Sequence, residues 1–373
     1  RGLLLGTLIG EIQTQGSSPL FEAIVPQLLA VGSVSGLSQA YDTVGGGAVS
    51  LVPQALMGAA SGSLASIASQ LDRWRTGTRI AGPATAPAPS AEAGAGGSLS
   101  RALWAAPMGN ATTGGGLSGS SFGGSIGIDG ELASLPLLLG GAVNYSETDL
   151  SANAYGATTT TGYGGVSLYG LYRMGPAYVS AIATLGYGSS NFDRNLHGLG
   201  LNLATSSGFD GTVFGGRIEA GYSVPLDAIG TRLTPFAAFQ PMGLRLGSGS
   251  ERFGLLGPGF SYDSTTITAL PIYLGVQLDA VWAAGNGTSY APFLRAAWMH
   301  DFSPNRDVPR SFAELPNFSF SASAIPTVSD AVDIHAGIQF AAGPNVSLSA
   351  GLDAQLAASY STIGASAALR VRW

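Results

Sequence analysis

From about residue 100 to the end of the chain, apolar side chains recur at every second position, the period of a β-strand whose two faces meet different surroundings. Val332, Ile334, Ala336, Ile338 and Phe340 alternate with Asp333, His335, Gly337 and Gln339. Val346, Leu348, Ala350, Leu352, Ala354 and Leu356 follow the same rule, and so do Ala367, Leu369, Val371 and Trp373. Ile272, Leu274, Val276, Leu278 and Trp282 flank Gln277 and Asp279, while Phe214, Ile218, Tyr222 and Val224 flank Arg217 and Glu219. A soluble sandwich also alternates, but its outer face is solvated by Lys and Glu. Here the polar face is mostly Gly, Ser and Ala with sparse charges. A narrow lumen accounts for that face, and lipid accounts for the apolar one. Arg217, Glu219, Asp279, Arg295, Asp333, His335, Asp353, Arg370 and Arg372 are then expected to line a pore, each first of all as a structural ion pair bracing the wall.

The connections alternate in length. Short ones are expected at Gly130–Ser134, Gly175–Pro176, Leu226–Gly230, Ala284–Thr288 and Gly343–Pro344. Long ones are expected at Asn110–Ser120, Glu147–Thr160, Asn191–Gly208, Gly247–Ser264 and Ser303–Asp330, with a short last one near Ala358–Ile363. This asymmetry is that of an outer-membrane barrel with short periplasmic turns. Scoring Phe318–Ile325 as a strand would give an odd total, which single-chain bacterial barrels avoid. Assigned to the longest loop, it leaves an all-β membrane fold of about 12 antiparallel strands.

The N-terminal quarter reads differently. Ala48–Arg75 carries Leu51, Leu56, Leu64, Ile67 and Leu71 among small residues, with Pro53 in the first turns, where a missing amide proton costs little. Its 28 residues would span about 40 Å as an α-helix, enough to cross the barrel inside its lumen. Apolar stretches at Ala23–Tyr41 and Thr43–Leu71 contain too much Gly, Ser, Pro and Gln for lipid contact on all sides, so a helical membrane protein is disfavoured. Arg1–Gly10 is read as the end of something longer. The expected organisation is a pre-helix segment or passenger remnant over 1–45, a pore helix over 46–75, a flexible Ala/Pro/Gly-rich linker over 76–100 and a transmembrane barrel over 101–373.

Composition narrows the classes. Only 10% of the 373 residues are charged, against about 25% in ordinary soluble proteins. With 45% hydrophobic residues the chain is not disordered. A net charge of −6 offers no basic footprint for nucleic acid, and the absence of cysteine removes thiol chemistry. Gly119-Ser120-Ser121-Phe122-Gly123 matches a nucleophile-elbow pattern but precedes a strand, and Gly114–Gly119 matches a dinucleotide fingerprint without a βαβ unit. His197, His300 and His335 lack ligand spacing. No catalytic residue, metal or cofactor is expected.

From Gly36 to Trp373 the chain resembles the translocator domain of type Va autotransporters. Leu37–Asp42 and the helix ending at Arg75 resemble the pre-barrel segment. Leu103-Trp104, Ile126–Gly130, Leu168–Arg173, Glu219–Tyr222, Leu233–Ala237 and Leu294–Phe302 resemble successive strands in the same order. The resemblance implies a barrel in the outer membrane of a Gram-negative bacterium, surrounded by lipid, that exports its own N-terminal passenger and keeps the helix as a plug. It also implies periplasmic chaperones and barrel-assembly machinery as partners, the machinery reading Leu369, Val371 and Trp373, where the family more often ends on Phe. A porin-like channel is the alternative. Some autotransporters cut the passenger in the pore by asparagine chemistry. The first Asn here is Asn110, after helix and linker, so that route is expected to be absent.

Overall fold

The computed structural model describes residues 10, 19–77, 100–132, 135–196, 200–201, 203–226, 230–284, 288–313, 316–317, 319–321, 323–325, 327–343 and 345–373. The expected linker lies outside these residues except for 76, 77 and 100, as do His197 and parts of the turns near 133, 227, 285 and 344.

Alternation produces strands as expected. β1 (Ser100–Gly114), β2 (Leu117–Leu132), β3 (Leu137–Ala152), β4 (Ala157–Met174), β5 (Ala177–Asn195) and β6 (Ala204–Tyr222) pair in sequence order. β7 (Val224–Pro225) prolongs β6. Two later barrel strands are each split at proline: β8 (Arg232–Phe239) and β9 (Met242–Leu246) at Pro241, and β12 (Thr265–Ala269) and β13 (Pro271–Asp279) at Pro271. Between them stand β10 (Gly249–Arg252) and β11 (Pro258–Tyr262). β14 (Trp282–Ala283) prolongs β13, and β15 (Thr288–Asp301), β17 (Asp330–Ala342), β18 (Val346–Ala357) and β19 (Ser361–Arg372) complete the wall. β16 (Arg310–Phe312) joins β10 and β11 in a small separate sheet. β1 pairs with β19, closing a 12-stranded antiparallel barrel.

The faces sort as the alternation requires. Phe122, Leu168, Leu352, Ile363 and Ile218 are among the most exposed large apolar side chains, and all point away from the lumen. Closure depends on close approach inside. The Trp104 ring lies over Gly127 of β2, the Tyr169 ring over Gly140 of β3, and the Tyr163 ring over Gly186 of β5. A Cβ at any of these glycines would strike the ring. The β1–β19 register skips Ala106 and Pro107, although both residues pair normally with β2. Proline has no amide proton to give at the seam.

Three expected long loops are corrected. Asn110–Ser120 is strand on both sides of a tight turn, because Gly114, Gly115 and Gly116 adopt positive φ of 118°, 60° and 80°. Glu147–Thr160 is likewise ladder except for a single 3₁₀ turn at Asn153–Tyr155. Asn191–Gly208 shortens to the eight residues between β5 and β6. Polar Ser and Thr stretches imitate loops in composition while the ladder runs on beyond the apolar band. Phe318–Ile325 contributes no barrel strand among the described residues, and Phe320 makes only an isolated bridge to Arg310.

Upstream lie α1 (Pro19–Leu29), α2 (Val34–Val44) and, after a 3₁₀ turn at Gly47–Ser50, α3 (Leu51–Gly77). α3 runs inside the barrel against β2–β6. Ser33 caps α2 by accepting from Gly36 N at 3.1 Å.

Replacing Gly140 by Val should displace the Tyr169 ring and destabilise the barrel by about 1–3 kcal/mol. Denaturant unfolding of the barrel in vesicles measures it, and a variant as stable as the parent would contradict the packing described.

Candidate functional site: the helix-filled pore

α3 is held to one side of the lumen. Leu56, Leu64, Ile67 and Leu71 are fully buried toward the wall, and Leu56 sits over Gly188 of β5 and Gly211 of β6. The small residues fall on another face: Gly58, Ser61, Gly62, Ala65, Ser66 and Ser69 border a cavity of about 460 Å³. Met108 of β1, Tyr273 of β13, Arg295 of β15 and Asp353 of β18 face it from the far side. One face of the helix thus supplies apolar contact and another leaves space.

At its C-terminal end α3 is tied by charge. Arg295 Nη1 donates to Asp72 Oδ2 at 2.7 Å and its Nη2 to Glu219 Oε2 at 2.6 Å. Glu219 also accepts from Arg217 Nη2 at 2.8 Å and from Tyr178 OH at 2.8 Å. Arg217 reaches Gln240 Oε1 at 3.0 Å, and Gln240 Nε2 donates to Ser61 Oγ of α3 at 3.1 Å. Gln240 is available because Pro241 breaks the strand there. Arg75 donates to Ser223 Oγ at 3.1 Å and stands 3.5 Å from Asp72 and 4.0 Å from Asp279. Trp74 donates to Glu131 of β2 and lies 4.3 Å from the Arg173 guanidinium, measured to its ring centroid. Charges removed from bulk water are costly unless paired. Here each carboxylate of the cluster finds its arginine on another element.

The nine residues expected in the pore divide into groups. Arg217, Glu219, Asp279 and Arg295 gather around Asp72 and Arg75. His335 Nδ1 lies 3.5 Å from Asp353 Oδ1 and 3.4 Å from Ser69 Oγ of α3, and Asp333 accepts from Gln355 at 3.0 Å. Arg370 forms a separate two-pronged pair with Asp129, and Arg372 makes a half-exposed pair with Glu131 at 3.7 Å. Sequence reasoning did not select Asp72, Asp129, Glu131 or Gln240. Asp129 alternates with Ile126 and Ile128, so the same period-two rule could have found it. Gln240 had no such signal.

The end of the barrel bearing the long loops is covered. Phe21 of α1 meets Phe312 with ring centroids 4.8 Å apart, and Phe260 stacks on Phe312 at 4.3 Å. Leu20, Ile24, Leu28 and Val44 pack with Leu196 and Phe253. Arg194 of β5 donates from Nη1 to Thr43 O at 2.7 Å and to Val44 O at 3.4 Å, and Arg310 Nε donates to Gly45 O. Glu251 holds Arg194 through both oxygens and accepts from Tyr262 OH at 2.6 Å. Burial pushes the Arg310 guanidinium down to about 10 and the Tyr262 phenol well above its usual range.

The sequence profile described as the autotransporter beta-domain matches residues 103–353. The translocator domain of the autotransporter NalP from Neisseria meningitidis is similar in structure, with a TM-score of 0.58 at 15% identity, covering 84% of this chain and 98% of that one. The β domain of the Bordetella autotransporter BrkA is similar at a TM-score of 0.56 and 16% identity, covering 74% of this chain and 100% of that one. No curated protein matches by sequence.

Replacing Arg295 by Leu should loosen the C-terminal turns of α3 at a cost of about 3–5 kcal/mol, because it strips a buried bridge from two carboxylates. Arg372→Leu, at a half-exposed pair, should cost less than about 1 kcal/mol. Amide exchange of α3 reads both, and equal protection in the two variants would contradict the arrangement.

Proposed function

Because the chain belongs to the autotransporter β-domain family, we propose in detail that its N-terminal part is threaded through the pore and that α3 is the segment left behind. The barrel is the outer-membrane translocator of a Gram-negative bacterium, a part of type V secretion. The porin-like alternative is not favoured.

One observation carries the direction of threading. Leu56 of α3 lies beside Gly188 and Gly211, toward the long-loop ends of β5 and β6, whereas Trp74 meets Glu131 at the short-turn end of β2. β1 starts at that same short-turn end, where Ser100 pairs with Glu131. The helix therefore runs from the long-loop end to the short-turn end, and residues 19–50 before it lie on the long-loop side. Short turns face the periplasm in barrels of this kind, so the preceding chain is at the cell surface.

The remaining parts of the reading follow from that frame. The nine polar residues named above serve as pore lining for a polar chain in transit, and Arg295, Asp279 and His335 among them hold α3 afterwards. Leu369 and Val371 of β19 and Trp373 just beyond it, all three exposed, serve as the signal for barrel-assembly machinery, with periplasmic chaperones delivering the chain. The passenger is the partner carried. Segment 46–75 is the pore helix and 76–100 the linker returning to β1. We assign no enzymatic step to the translocator itself. With no asparagine before Asn110, cleavage inside the pore by asparagine chemistry is absent, and passenger and barrel stay joined unless another protease separates them.

Two measurements test this. An epitope inserted between Gly32 and Ser33, at the exposed corner between α1 and α2, should be reached by antibody on intact cells. An epitope reached only after the outer membrane is opened would overturn the direction of threading. Mass spectrometry of the mature outer-membrane species should find no cut within Ala48–Arg75, and a cut there without added protease would overturn the cleavage reading.

A further inference from the structure

Two ways of closing the pore coexist in this chain, and they are unequal. α3 packs its apolar face against β2–β6 and reaches the opposite wall through polar contacts such as Asp72–Arg295 and Ser69–His335. Beside it the 460 Å³ cavity runs past Gly58 and Gly62, lined by apolar side chains such as Met108 and Met242 together with charged and hydroxyl ones such as Arg295, Asp353 and Thr362. A Cβ placed at Gly58 would meet nothing within 4 Å. Small side chains on that face leave the space beside the helix unfilled.

The outer mouth is built otherwise. Residues 19–50 touch four separate loops. Gln39 Nε2 donates to Ala154 O at 2.7 Å, between β3 and β4. Leu20, Ile24 and Leu28 share a core with Leu196, beside β5. Phe21 enters the aromatic group of Phe260 and Phe312, from the small sheet. Ser50 Oγ lies 2.7 Å from Ser323 Oγ, before β17. The strongest grip is on the end of α2. The last carbonyls of a helix lack intrahelical partners and carry partial negative charge. Those of Thr43, Val44 and Gly45 receive Arg194 and Arg310, both buried, with Glu251 fixing the first.

We infer that the outer loops form a docking site for the chain's own residues 19–50, and that this docked segment, latched by Arg194 and Arg310, is the outer seal of the pore. The last exported stretch thus closes the barrel behind the passenger, and α3 serves as tether and filler. The inference takes from the translocator reading only the side on which residues 19–50 emerge.

Single-channel conductance of the full chain in planar bilayers tests it. Arg194→Gln combined with Arg310→Gln should raise conductance several-fold while α3 stays protected from exchange. Asp72→Asn combined with Arg295→Gln, which frees the inner end of α3, should change it little. Adding Gln39→Cys and Ala154→Cys to the first pair and joining them with a short bismaleimide should return conductance to the parent level; the chain has no other cysteine. If the double arginine variant does not insert, deletion of 19–29 removes Phe21 and asks the same question. Parent-level conductance in the unlatched barrel, or no recovery on cross-linking, would overturn the inference. Surface exposure of the Gly32–Ser33 epitope in the same variants reports separately on the direction of export.

Discussion

In hydrocarbon a backbone amide or carbonyl has no water to turn to, and each one left unpaired costs several kcal/mol. A sheet satisfies this demand only by closing on itself. Pairing of β1 with β19 is therefore the condition on which the rest of this structure depends. The ladder is continuous nearly everywhere, and its interruptions are at prolines. Pro241 and Pro271 break neighbouring strands at matching heights, where Gln240 N still donates to Pro271 O at 2.9 Å. Pro107 leaves one gap in the closing seam.

Closure then creates an interior that cannot be left as bulk water or as oil. Glycines opposite aromatic rings let neighbouring strands approach, and bulky side chains such as Leu56 settle over glycines of the wall. Arginines on the wall meet carboxylates of the helix and of other strands. This division explains why α3 can remain in the lumen without being apolar all round. Among the described residues the one helix long and apolar enough to cross a membrane is this one, and the barrel, not lipid, surrounds it.

The two ends of the barrel follow from the same constraint. At the short-turn end the chain only reverses, so few residues leave the ladder. At the other end the loops fold against α1 and α2, where Phe260, Tyr262 and Phe312 extend the barrel's interior core beside buried arginines and Leu20, Ile24, Leu28, Leu196 and Phe253 form a second, smaller core. Family membership accounts for the barrel.

Much of the fold was written locally. A strand with lipid on one side and a lumen on the other must alternate, so Val332, Ile334 and Ile338 announce their face without knowledge of their neighbours. The same holds for α3, whose Leu56, Leu64, Ile67 and Leu71 stand at helical spacing and end near Arg75. Loop lengths were read less well, because Gly114–Gly116 and the Ser/Thr strands look like loops in composition but form hairpins beyond the apolar band. Partnership was not legible at all. Arg295 meets Glu219 at a separation of 76 residues and Asp72 at 223, distances over which no local pattern specifies pairing. Arg194 and Arg310 carry no pattern in the sequence that marks them, and only tertiary folding places the carbonyls of Thr43 and Gly45 before them. The sequence by itself determined which face of each element meets which solvent, since that choice is made residue by residue. Only closure of the barrel decided which charges meet across the lumen and over its mouth.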